Sequence, residues 1–151
     1  MTQGDDVMSE GISSTGGCLC GAVRYRVDGP VRDIVGCHCK QCRKTTGHWL
    51  ASANVWRDQF HLTEERGLKW YRASDFAGRG FCNECGSTLF WRADVGDTVG
   101  VAAGTLDETG DLKVQGHIFT ADKGDYYTLD PALPQFEQSD ATGDFPMPDH
   151  D

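Results

Sequence analysis

Seven cysteines stand in three clusters: Cys18-Leu19-Cys20, Cys37-His38-Cys39-Lys40-Gln41-Cys42 and Cys82-Asn83-Glu84-Cys85. An odd number cannot close entirely into intrachain disulfides. Thiols at this short spacing favour a metal, zinc above all, held tetrahedrally with Zn–S near about 2.3 Å. Glycine adjoins every cluster: Gly17 and Gly21 the first, Gly36 the second, Gly86 the third. It permits the tight turns from which two thiolates point inward together. A structural zinc is closed by four protein ligands, whereas a catalytic zinc keeps three and one open position. The seven thiols divide into four and three with none left over. Cys37, Cys39 and Cys42 lie close enough to share one ion, and Cys18 and Cys20 can join Cys82 and Cys85 across a long loop. Spacing alone leaves that pairing open, along with a single four-thiolate zinc beside three ordinary cysteines.

Two other thiol chemistries fit less well. Cys82–Cys85 has the spacing of a redox dithiol, but no βαβ pattern surrounds it. A zinc deaminase requires H-x-E and then P-C-x-x-C. Here His38 precedes Cys39-Lys40, and Phe81 precedes Cys82.

The elements that must position these thiols are short strands. Alternating or apolar runs bounded by turn residues fall at 21–27, 31–35, 49–55, 60–63, 68–72, 87–92, 98–102 and 117–120. Many of the 19 glycines sit between them. No helical apolar period outlasts about two turns, although the stretch after Cys39 suits one short helix. The expected fold is all-β. The polar, acidic residues 1–14 and the residues 138–151 read as flexible tails around a folded unit at 15–137.

The chain has 151 residues, 14 lysines and arginines against 23 aspartates and glutamates, and a formal net charge of −9. That size suits one domain. Its acidity argues against nucleic acid and anionic membranes as partners. No apolar run approaches the roughly 20 residues of a membrane helix, and residues 1–15 lack the apolar core of a secretory signal. The expected location is the cytoplasm, where free thiols are the rule.

Taken in order, three stretches resemble the glutathione-dependent formaldehyde-activating (GFA) family, which includes the centromere protein V-like domains. They are Gly17-Cys18-Leu19-Cys20-Gly21, Cys37-His38-Cys39-Lys40-Gln41-Cys42-Arg43-Lys44 and Arg79-Gly80-Phe81-Cys82-Asn83-Glu84-Cys85-Gly86-Ser87. Ala103-Gly104-Thr105-Leu106-Asp107, His117-Ile118-Phe119 and Leu133-Pro134 extend the resemblance over about residues 15–137. It implies an Mss4-like β-tent, short antiparallel sheets pinned by zinc. It implies two Zn2+ sites: a structural one at Cys18, Cys20, Cys82 and Cys85, and an open, sometimes partly occupied one at Cys37, Cys39 and Cys42. It also implies carbon–sulfur lyase chemistry, the reversible condensation of formaldehyde with glutathione to S-hydroxymethylglutathione. One departure is Lys123-Gly124-Asp125-Tyr126-Tyr127, with tyrosine where the family usually carries tryptophan.

A zinc held by three thiolates is a weak electrophile, yet it can take a fourth thiolate and keep it nucleophilic. Glutathione, the expected small-thiol partner, would lose its proton on coordination and attack the carbonyl carbon. Arg43 and Arg79 are the candidate holders of its carboxylates; the plainer alternative is that they offset the negative thiolate centre. His38, between two ligands in extended backbone, is expected to face away from the metal. His117 is expected in a packing or structural hydrogen-bonding role. A function from another class also fits: a non-catalytic zinc-stabilised module that binds a protein partner.

Overall fold

A computed structural model describes residues 13–139 and 145–150. Residues 1–12, nearly all of the expected N-terminal tail, lie outside them. Ten strands and one short helix are present among the described residues. No helix there is long and apolar enough to cross a membrane.

The strands form two sheets. Strands β1 (Ser14–Gly17), β2 (Arg24–Val27) and β5 (Phe60–Glu64) make an antiparallel three-stranded sheet in the order β1-β2-β5. The larger sheet takes β3 (Ile34–Cys37), β4 (Leu50–Trp56), β6 (Leu68–Arg72), β7 (Ala77–Cys82), β8 (Thr88–Ala93), β9 (Thr98–Ala102) and β10 (Val114–Ile118). Its order is β10-β3-β4-β9-β8-β7-β6. Every pairing is antiparallel except β10 on β3, which is parallel and broken by an irregularity at Val114–Gly116. The fold is therefore all-β but mixed at one edge, where antiparallel sheets alone were expected.

Period-two burial drives the assembly. Tyr25 and Val27 of β2 are buried while Arg24 and Arg26 are not, so one face of the small sheet turns inward. That face packs with Val55, Leu89, Phe90, Val99 and Val101 of the larger sheet in a single core that also contains Cys18 and Cys82. The Tyr25 ring meets Phe60 and Phe90 at centroid distances of 5.7 and 5.3 Å. Its hydroxyl pairs with Thr105 Oγ1 at 2.8 Å.

The helix α1 (Lys40–Thr46) starts directly after Cys39. At the far end of the chain, the described part of 138–151 does not behave as a free tail. Phe145 is buried, its ring lies against Gly116, and it meets Phe136 edge to face at 5.6 Å. The Pro148 carbonyl accepts from the Trp56 indole at 3.2 Å. An aromatic side chain in a polar segment supplies apolar surface worth burying, which composition averaged over the segment conceals.

Candidate metal centres

Cys18 and Cys20 lie between β1 and β2, while Cys82 ends β7 and Cys85 lies in the turn before β8. The two knuckles thus come from different sheets, and all four sulfurs lie within 4.8 Å of one another. Cys18 Sγ is 3.7 Å from Cys20 Sγ, which is 3.8 Å from Cys82 Sγ. The edge of a tetrahedron with 2.3 Å arms is about 3.8 Å, which these two distances match, so the donor set suits zinc. Backbone N–H groups face the sulfurs as a thiolate requires: Val23 donates to Cys18 Sγ at 3.2 Å, and Glu84 and Cys85 each donate to Cys82 Sγ at 3.4 Å. The Ser87 hydroxyl and backbone N–H hold the Cys85 thiol down to about 5.

The second centre is assembled by one strand end and one helix start. Cys37 closes β3. Cys39 is the N-cap of α1, its sulfur accepting the Cys42 N–H at 3.3 Å. A thiolate there gains from the unpaired N–H groups of the first turn. Cys42 reaches the same point from inside that turn, and the three sulfurs lie within 4.8 Å of one another. The Cys37 and Cys42 thiols donate to Cys39 and hold it down to about 2. Cys37, as donor to Cys39 and Cys42 in a buried position, is pushed up. Three sulfurs this close together could hold a cation, and three thiolates would leave a tetrahedral ion one open position.

Gly36 sets how closely the second centre can be backed. A Cβ on it would come within 2.6 Å of His117 Nδ1 and 2.8 Å of the Trp49 ring. Behind the knuckle, His38 is fully buried and turned away from the sulfurs. Its Nδ1 pairs with Tyr127 Oη at 2.6 Å and its Nε2 with His117 Nδ1 at 2.9 Å. Burial, with His117 and His48 nearby, lowers its pKa to about 4.

The three-cysteine centre opens on a cavity of about 530 Å³. Its floor is one face of the larger sheet, where Val35 and Cys37 of β3 alternate in step with Leu50, Ser52 and Asn54 of β4. Cys39, Lys40, Gln41 and Cys42 form one wall. Arg79 and Trp91, register partners on β7 and β8, form another.

The two candidate arginines part company here. Arg79 is buried on the cavity wall and donates to Cys42 Sγ at 3.3 Å, Gln41 Oε1 at 3.3 Å and Thr45 Oγ1 at 3.5 Å. Those contacts favour the charge-offsetting role over a free carboxylate clamp. Arg43 is absent from the cavity wall, and its Nε is buried with no hydrogen-bond partner among the described residues. Sequence reasoning missed Arg32 and Lys40, both on the cavity. Lys40 was legible as the residue after a ligand. Arg32 enters through strand register, since its N–H bonds the Asn54 carbonyl.

A strand-built domain that brings seven thiols to two points, one closed and one facing a cavity, defines a class of cysteine-centred β proteins. Within it, a sequence model described as glutathione-dependent formaldehyde-activating enzyme matches residues 13–122, and the chain belongs to that family. A Schizosaccharomyces pombe protein named as an uncharacterized lyase is 32% identical over 79 residues, 50% of this chain and 55% of its own length. The match thus spans about half of that curated relative. A crystal structure of a Rhodobacter sphaeroides protein superposes with a TM-score of 0.54 at 22% identity, covering 68% of this chain and 98% of that one; that likeness concerns the fold.

Proposed function

We propose that the chain is a zinc-dependent carbon–sulfur lyase that joins a small thiol to an aldehyde and reverses the reaction, with glutathione and formaldehyde the pair suggested by the family description. The observation that carries this reading is the asymmetry of the two centres. Cys37, Cys39 and Cys42 line the 530 Å³ cavity, and none of the other four cysteines does. That volume lies within the roughly 300–1,000 Å³ of small-molecule sites. A zinc ion at the triad would supply an open position at which a thiol is deprotonated and oriented.

The chain's own groups do the rest. Arg79 offsets the charge of three thiolates through Cys42, leaving the centre able to accept a fourth. The exposed Lys40 on the rim is placed to attract an anionic thiol. Cys18, Cys20, Cys82 and Cys85 would hold a second zinc that joins the two sheets. The β-tent fold of the family and a reducing cytoplasm, where seven thiols persist, belong to the same reading.

Cobalt(II) substitution followed by glutathione titration tests it. The expected result is a thiolate-to-cobalt band that grows and saturates. Four-thiolate cobalt at every site, indifferent to glutathione, would overturn the reading in favour of a metal-pinned module that binds a protein.

A further inference from the structure

We propose that the aldehyde-derived carbon of the adduct carries an apolar substituent several carbons long, so that the site takes R–CHO and its glutathione hemithioacetal rather than a one-carbon adduct alone. This rests on the lyase reading. Strand register sets the side chains beside the ligand Cys37. It is paired with Leu50 on β4 and with Ile118 on β10, and both line the cavity. A thiol adduct held at the triad would therefore have two branched apolar side chains among its nearest walls.

Beyond Ile118 the cavity wall is Phe119. With φ 56° it is the non-glycine residue held in the left-handed region among the described residues. An aromatic residue there is strained, and such strain persists where the surroundings require it. Its backbone N–H is fixed by the Gln138 carbonyl, and the turn places the residue on the cavity wall. Phe145 joins it from the C-terminal segment, and Phe76 and Trp91 close the opposite side. Polar groups on the floor lie further along β4, at Ser52 and Asn54, up to about 13 Å from Leu50 at 3.3 Å per residue. The peptide part of glutathione suits that polar end. The hydrogens of formaldehyde make no use of the apolar one.

The step balances without a further reactant. The thiolate sulfur bonds to the aldehyde carbon, and the carbonyl π pair moves to oxygen. That oxygen takes up the proton released when the thiol ionised, giving GS–CH(OH)–R; the reverse breaks the same C–S bond.

The test is displacement of glutathione from the cobalt protein by S-methyl-, S-butyl- and S-hexylglutathione. Each added methylene is expected to tighten binding about fourfold, roughly 60-fold from methyl to butyl. Phe119→Gly, which keeps the left-handed turn but removes the ring, and Phe76→Ala, at a position 61% exposed, are each expected to cut the increment to about twofold or less. A flat or falling series in a protein whose cobalt band still responds to glutathione overturns the inference and leaves the lyase reading standing. An increment unchanged in both variants overturns it as well. A cobalt band indifferent to glutathione itself overturns both.

Discussion

Arg79 Nη2 donates to Cys42 Sγ at 3.3 Å from a buried position on β7. A zinc ion with three thiolates would carry a formal charge of −1, and this guanidinium touches one of the three sulfurs. Partners of metal ligands commonly contribute 10–100-fold to metal affinity. Arg79→Gln is therefore expected to weaken the metal of the Cys37–Cys39–Cys42 centre by roughly that factor while leaving the four-cysteine centre unchanged. Arg79→Lys should fall between, since an ammonium keeps the charge but not the fork that also reaches Gln41 and Thr45. Competition with a chromophoric chelator resolves the two classes of site, and equal affinities in all three proteins would remove the role.

The two centres differ in what they join. Cys18 and Cys20 lie in the β1–β2 connection of the small sheet, and Cys82 and Cys85 at the β7–β8 connection of the large one, so a metal held there would join the two sheets. Binding free energy at such a site is folding free energy. Cys82→Ser is expected to lower Tm by roughly 6–12 °C, the shift for a loss of about 3 kcal/mol at 2–4 °C per kcal/mol for this size. Cys39→Ser should release one metal equivalent and shift Tm by only a few degrees. Thermal melts paired with metal analysis check both, and a larger loss for Cys39→Ser would reverse the assignment of structural and open centres.

Much of this was legible in the chain, for reasons that particular residues show. Counting ligands for zinc suggested a division of the thiols into four and three, spacing left the pairing open, and the structure brings together groups of four and three. Strands with ordinary alternation, such as Leu68–Arg72 and Thr98–Ala102, were readable. β1 and β7 were not, because Ser-Thr-Gly-Gly and Ala-Gly-Arg-Gly-Phe-Cys carry too few branched side chains. Gly16 shows why: a Cβ there would come within 2.4 Å of the Tyr25 hydroxyl, so packing across the core chose the residue. The parallel β10–β3 pairing and the apolar flanks of Cys37 are long-range facts of register that no local window contains.

Asp107 ties the small sheet to the turn after β9. Its carboxylate accepts from Arg24 Nη1 at 3.0 Å and from Thr15 Oγ1 at 2.6 Å, and these partners, Arg24 first, hold its pKa down to about 2. A carboxylate depressed on folding contributes stability that is fully present above its unfolded pKa, near 3.9, and is lost as pH falls through the folded value. Wild type is expected to exceed Asp107→Asn in stability above about pH 4, with the gap closing between pH 4 and 2. Comparing the two proteins at each pH cancels the acid release of metal common to both. A gap independent of pH across that window would show that the ion pair does not link folding to protonation.

His38 gives the sharpest contrast between two neighbouring tyrosines. Tyr127 Oη is 2.6 Å from Nδ1 of this fully buried ring, whereas Tyr126, 67% exposed, reaches Nδ1 of the exposed His48. At neutral pH His38 is uncharged, its pKa lowered to about 4 by burial and by His117 and His48, so one nitrogen donates and the other accepts. Tyr127→Phe strands Nδ1 without a partner, at a cost of about 1–3 kcal/mol. Tyr126→Phe exposes His48 to water instead and should stay within about 0.5 kcal/mol. Because His38 lies between Cys37 and Cys39, the loss should also appear as faster metal release from that centre in Tyr127→Phe alone. Equal Tm and equal release rates for the two variants would mean that the buried imidazole pair does not stiffen the knuckle.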